Sequence, residues 1–186
     1  MDNYRTFAKQ VRTLEVNMDY QLRVLKSFLD FKTSVTCPDG FREVANKVNS
    51  GLGLVPGKAV TNKNIKFYEH RIKELYNERE IGYILGNYLV YCLFSKPLII
   101  FGLQGGFYTL SFFYAFIRFI AVGVAISEGV PVDNKILIKA ISVVDYNIRH
   151  SGNYMDHIML AQGIDKFETE HVSIAKSLAL LAARGR

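Results

Sequence analysis

The sequence predicts an all-α fold, a single helical domain of about seven helices around a buried apolar helix at residues 107–127. Apolar residues recur at steps of three and four along most of the chain, and no strand-like alternation lasts over four residues. Between Ile81 and Ser127 only Lys96 and Arg118 carry charge. A helix that is apolar on all sides must be buried in protein or lie in a membrane.

A chain of 186 residues is long enough to bury a substantial core within one domain. We therefore treat residues 1–186 as one helical domain. Residues 1–60 form its N-terminal helical part, residues 61–160 its core, and residues 161–186 its C-terminal helix.

The N-terminal part begins with an amphipathic helix, whose apolar stripe is formed by Val11, Leu14, Met18, Leu22, Leu25 and Leu29. Pro38 and Gly40 end it, and the segment FREVANKVNS predicts a short helix. The loop GLGLVPGK follows. It is not a phosphate-binding P-loop, because five residues separate its first glycine from the Gly-Lys pair and alanine follows the lysine. We expect a flexible connector.

The core begins with a helix capped by Thr61 or Asn62. The apolar stretch predicts two further helices, one before Pro97 and one after Gly106, because proline and the glycines of FGLQGG are helix breakers. Asp133 can cap a helix that runs to about residue 149. A short helix and a final helix, which begins near residue 167, complete the chain.

A transmembrane helix at 107–127 is the alternative to a buried one, since 21 residues can cross a bilayer. Arg118 near its middle would cost about 2.5–3.5 kcal/mol on insertion scales. The flanking segments have the narrow apolar stripes of helices that pack on a core. These features favour a soluble protein without a membrane partner.

Cysteine use and charge indicate a cytoplasmic protein. Cys37 and Cys92 lie 55 residues apart, without the spacing of a zinc or redox site, and the N-terminus has no apolar signal region. We therefore predict no metal site in this chain. The net charge of +6 comes from segments of mixed sign rather than from a basic run, so we expect no nucleic-acid partner.

The patterns of common catalytic sites, GxSxG, HExxH and CxxC, do not occur in the sequence, and no catalytic residue is assigned. Polar residues within the apolar helices remain as candidates. They are expected to pool around one pocket for a substrate or cofactor, because buried polar groups must be satisfied. The candidates are Asn87, Tyr88, Tyr91, Ser111, Tyr114, Arg118, Asp145, Arg149, His150 and Tyr154.

Three of these candidates have structural interpretations that stay open. Arg118 either forms a salt bridge, with Asp145 or Glu128, or anchors the carboxylate of a ligand. Asp145 and Arg149, four residues apart, can form an ordinary ion pair on a helix surface.

Three segments carry a family resemblance: ILGNYLVYCLF, YTLSFFYAFIRFIAVGVA and ISVVDYNIRHSGNYMDHI. Over residues 60–160 they resemble the C-terminal half of the bacterial flagellin lysine-N-methylase family. The matching positions are Asn87, Tyr88 and Leu89, and then His150, Ser151 and Tyr154. Gly86 stands where the family pattern tends toward an acid, and the Cys-rich N-terminal half of the family has no counterpart here.

The resemblance implies that the chain is the helical portion of a methyltransferase that acts on flagellin lysines. It implies S-adenosylmethionine as methyl donor, and flagellin and a Cys-rich N-terminal half as partners. An iron–sulfur or other metal centre would belong to that half, so the isolated chain should have little or no activity. The alternative function is a non-enzymatic helical interaction or regulatory module.

Overall fold

The computed structural model describes residues 17–35, 37–75, 78–94, 97–149, 154–164 and 170–181, and these contain eight α-helices and no strand. The all-α prediction is therefore confirmed. The helices are α1 (Met18–Ser34), α2 (Asp39–Leu52), α3 (Asn62–Leu75), α4 (Glu78–Phe94), α5 (Pro97–Glu128), α6 (Asn134–Val144), α7 (Tyr154–Ala161) and α8 (Glu170–Leu181). A π-helical turn, Asp145–Arg149, continues α6.

Helix α5 is the centre of the domain, as its apolar sequence predicts. Its side chains from residue 108 to residue 125 are nearly all buried, and α2, α4, α6 and α8 pack around it. The Phe112 ring lies 4.6 Å from Phe28 of α1 and 5.3 Å from Phe116, measured between ring centroids. Such pairs stabilise a core by about 0.5–1.5 kcal/mol beyond their buried area.

The segment Gly105–Glu128 is long and apolar enough to cross a membrane, but 83% of its most apolar window is buried inside the domain. The core helix of a globular domain has the same length and composition. The packing on several sides of α5 is that of such a core helix.

The predicted break at FGLQGG is wrong. Helix α5 begins at Pro97, where a first-turn position needs no N–H donor, and continues through Gly105 and Gly106 without interruption. Both glycines are buried. An interior glycine costs about 1 kcal/mol relative to alanine, and tertiary packing readily outweighs such a local preference.

Two glycines allow α2 and α5 to lie in direct backbone contact. A Cβ atom placed on Gly51 would lie 2.1 Å from the carbonyl oxygen of Gly123. One placed on Gly123 would lie 2.9 Å from the Cα atom of Val48. Both separations are far below van der Waals contact, so only glycine fits at this crossing.

The predicted caps are present. The Asp133 carboxylate accepts the backbone N–H of Ile136 at 2.9 Å and begins α6. The Thr61 hydroxyl accepts the N–H of Asn64, whose side chain in turn accepts the Thr61 N–H, so both ends of this reciprocal cap are satisfied. Helix α1 begins at Met18 after the Asn17 cap, and the predicted stripe positions Val11 and Leu14 lie outside the described residues.

Candidate functional site

Helix α4 divides sharply into an inner and an outer face. Ile81, Leu85 and Cys92 are buried against the core, which follows from their spacing of four and seven residues. The opposite side, here called the outer face, consists of Tyr83, Asn87, Val90, Tyr91 and Phe94, and all five are exposed.

The last turn of α6 is brought against the inner edge of α4. The Tyr88 hydroxyl donates a hydrogen bond of 3.0 Å to Oδ1 of Asp145. The Arg149 Nε atom lies 2.5 Å from the same oxygen, which confirms the predicted i,i+4 ion pair. Asp145 therefore connects the end of α6 to α4, although Tyr88 and Asp145 are 57 residues apart in sequence.

Arg149 extends the network to the surface. Its Nη2 donates to the Tyr91 hydroxyl at 3.0 Å, and its guanidinium carbon lies 4.9 Å from the centroid of the Tyr91 ring. Burial opposes the charge of Arg149, but the hydrogen bonds to Tyr91 and Asp145 outweigh it and raise its pKa. The hydrogen bond and the cation–π contact with the guanidinium therefore hold the Tyr91 side chain in place, while more than half of Tyr91 remains exposed.

The Asp145–Arg149 segment adopts a π-helical turn. Such turns are rare and occur mostly as single bulges within α-helices, frequently at functional sites. No local signal in the sequence predicts this one, because its residues continue the apolar period of α6 without a glycine or proline.

A buried thiol belongs to the same cluster, although sequence reasoning left it out. Cys92 lies one turn after Tyr88, is fully buried, and shares a hydrogen bond with the Tyr88 side chain. Burial raises the pKa of the Cys92 thiol, so it stays protonated at neutral pH and is a poor nucleophile. The signal that could have identified Cys92 is its i,i+4 spacing from Tyr88 within the uncharged stretch from Ile81 to Phe94.

The tyrosines around this thiol are also held neutral. Burial raises the pKa of Tyr88, and the neighbouring Cys92 and Asp145 raise it further. Burial likewise raises the pKa of Tyr154, against the opposing effect of the Arg149 charge. The Tyr154 ring stacks on Phe113 of the central helix. Tyr88, Tyr91, Asp145, Arg149 and Tyr154 thus form one cluster, here called the tyrosine network.

Arg118 lies in the middle of α5 with an exposure of only 2%. Its Nη1 donates to the Tyr114 hydroxyl at 3.1 Å, and its guanidinium carbon lies 4.9 Å from the Tyr114 ring centroid. Burial raises the pKa of the fully buried Tyr68, and the positive charge of Arg118 opposes this rise.

The other candidates occupy different environments. Ser111 shares the α5 face of Tyr114 and Arg118 and is buried, and its Oγ has no hydrogen-bond partner within the described part of the chain. Asn87 is on the outer face, and His150 lies outside the described residues. The contacts given above link Arg118 to Tyr114, and link Asp145 to Tyr88 and Arg149. One pocket shared by all ten residues stays a prediction, as does a ligand role for Arg118.

Metal ligands are not grouped in the described residues: no three His, Cys, Asp or Glu side chains there are placed to hold an ion. Neither Cys37 nor Cys92 forms a disulfide.

The fold and the cluster define an all-helical domain in which an uncharged aromatic surface on α4 is joined to a partly buried tyrosine network. A comparison with family models matches residues 1–181 to the FliB lysine N-methylase C-terminal domain. The chain belongs to this family, which confirms the resemblance seen over residues 60–160 and extends it in both directions. No curated protein and no solved structure matches the chain.

Proposed function

We propose that this chain is the part of a flagellin lysine N-methylase that docks the protein substrate, and that the outer face of α4 is the docking surface. The observation that supports this proposal is the exposure of Tyr83, Val90, Tyr91 and Phe94 on one side of one helix. Each is more than half exposed, and Phe94 is 81% exposed. A contiguous apolar surface of this kind marks a site of interaction.

The composition of this face suits a protein partner. No residue from Ile81 to Phe94 is charged. Protein interfaces are depleted of charge at their centres and enriched in tyrosine and phenylalanine. Fully burying a large apolar side chain stabilises a complex by about 1.5–3 kcal/mol, so a few such residues can provide most of the binding energy. Flagellin is the partner that membership of this family implies.

The tyrosine network prepares the surface for binding. Arg149 fixes the Tyr91 hydroxyl, and Asp145 fixes Arg149. A side chain ordered before binding loses less entropy when the complex forms.

Membership of a methylase family implies S-adenosylmethionine as methyl donor in general terms. The tyrosine network does not fit this molecule. Asp145 already accepts from Tyr88 and Arg149, and Arg149 donates to Tyr91, so these groups are engaged with one another rather than with a carboxylate or an amino group. We therefore propose that the donor, and any metal centre, belong to a Cys-rich half of the enzyme, and we assign no step of the transfer to this network.

A binding measurement tests the docking surface. Phe94→Asp places a charge at the C-terminal end of the outer face, at a position that is 81% exposed, so the fold should be unaffected. We expect the Kd for monomeric flagellin to rise by at least about tenfold. Leu160→Asp is the matched control, since Leu160 is an exposed apolar residue on α7 and should bind flagellin like the wild type.

Two outcomes would refute the proposal. Equal flagellin affinity for wild type and Phe94→Asp would remove the outer face from the interface. No flagellin binding by the folded wild type would favour the alternative, a helical module with another partner. The purified chain should also transfer little methyl from labelled S-adenosylmethionine to flagellin, and efficient transfer would overturn the assignment of the donor to another part of the enzyme.

A further inference from the structure

The loop between α2 and α3 forms one wall of a groove of about 470 Å³, on a part of the molecule that the proposed function does not use. The C-terminal end of α2, the first turns of α3 and Lys26 of α1 form the rest of it. Ligand sites for small molecules commonly have volumes of about 300–1,000 Å³, so this groove is large enough for one.

The loop is anchored by hydrogen bonds, in contrast to the predicted flexible connector. The Gly57 N–H donates to Oδ2 of Asp30 at 3.1 Å, and the Asn64 side chain donates to the Gly53 carbonyl at 2.9 Å. Gly53 and Gly57 have positive φ angles of 62° and 70°, which few other residues adopt. The groove is therefore formed before any ligand arrives.

The charged side chains that line the groove are all lysines, and Asp30, beside the groove, pairs with one of them. Lys26, Lys58 and Lys63 line it, and none of its lining residues is Asp or Glu. Lys26 is the unusual member, because it is only 3% exposed. Its ammonium forms an ion pair with Asp30, which holds it in place, yet a lysine carries three donors and this pair uses one of them.

Apolar side chains form another part of the groove. Leu54 and Val55 line the groove, and Phe67 of α3 lies at its edge with 38% of its surface exposed. An exposed aromatic ring beside lysines can stack on a flat ring while the ammonium groups contact an anion.

We propose that this groove binds a nucleoside phosphate, with the phosphate oxygens at Lys26, Lys58 and Lys63 and the base at Phe67. The lysine side chains recognise the phosphate here, in contrast to a P-loop, whose sequence pattern the loop lacks. S-adenosylmethionine is a poor match, because its sulfonium and amino groups make it a net cation among three lysines. The site is independent of the outer face of α4.

Calorimetric titration of the whole chain with ADP, inorganic pyrophosphate and adenosine tests the proposal. We expect ADP to bind, with an affinity that falls as salt is added. Lys58→Ala and Lys63→Ala should each weaken ADP binding by about tenfold, the effect of losing one charge-assisted contact. Lys135→Ala is the control, because Lys135 is an exposed lysine on α6 outside the groove, and it should leave the affinity unchanged.

The three probes separate the two halves of the site. Phe67→Ala should weaken the binding of ADP and leave that of pyrophosphate unchanged, while adenosine alone should bind weakly or not at all. No heat of binding for ADP and pyrophosphate at about 1 mM with folded wild type would overturn the proposal. Equal ADP affinity in Lys58→Ala, Lys63→Ala and wild type would do the same. Displacement of bound ADP by S-adenosylmethionine would also overturn the proposal. None of these results bears on flagellin binding.

Discussion

Replacement of a single hydrogen by a methyl group at the α2–α5 crossing should destabilise the whole domain. In Gly51→Ala the new Cβ would lie 2.1 Å from the Gly123 carbonyl oxygen and 3.0 Å from the Ser127 nitrogen. Carbon atoms in contact normally lie about 3.5–4.0 Å from their neighbours. The separation of 2.1 Å is shorter than a normal contact by more than about 1 Å, so helix α2 would have to move away from α5 by about that distance. The atoms that clash belong to the backbone, which cannot rotate out of the way as a side chain can.

The expected loss follows from this geometry. Overpacking a core costs about 1–3 kcal/mol where side chains can adjust, and more where they cannot. We expect Gly51→Ala to lower the free energy of unfolding by more than about 3 kcal/mol. Gly123→Ala should lose about 1–3 kcal/mol, because its Cβ meets Val48 at 2.9 Å, partly through a side chain. Both are large against a typical total stability of about 5–15 kcal/mol.

Urea unfolding followed by circular dichroism at the helix band measures these changes. Gly86→Ala is the matched control, since Gly86 lies on the exposed side of α4 and nothing is within 4 Å of a Cβ there. This control should gain up to about 1 kcal/mol from the higher helix propensity of alanine. If Gly51→Ala unfolds within about 0.5 kcal/mol of the wild type, α2 and α5 are not in backbone contact and the reasoning fails.

Two further predictions concern the core. Phe116→Ala should cost about 3–5 kcal/mol, because its ring is fully buried between Phe112 and Phe119, and a loss below about 1 kcal/mol in urea unfolding would show that α5 is not central. Burial raises the pKa of Tyr68, so above about pH 10 the unfolded chain loses this proton first and stability falls. Tyr68→Phe should make this fall above about pH 10 shallower, and an identical slope would contradict this assignment. At neutral pH the same variant should be no less stable than the wild type, since the buried Tyr68 hydroxyl has no hydrogen-bond partner in the described residues.

Much of the local structure could be predicted from the sequence. The three- and four-residue spacing of apolar side chains defines α1, α3 and α6, because a helix places such residues on one side regardless of what covers them. Asp133 caps α6 as its position before the apolar period indicated, and Asp145 pairs with Arg149 one turn away. The near absence of charge in residues 107–127, where only Arg118 is charged, was enough to identify the most buried helix.

Only the tertiary structure decided where these faces meet. FGLQGG contains the residues that usually end a helix, yet α5 continues through it, and its last two residues, Gly105 and Gly106, are buried. Likewise, a helix period places Tyr88 and Tyr91 within one turn of each other, but does not say that Asp145, 57 residues later in the chain, accepts from Tyr88. The exposure of the α4 outer face and the groove beside Lys26 also depend on how segments distant in sequence pack together. Spacing along a helix determines which residues share a side, whereas burial, pairing and exposure depend on the distant segments that pack against it.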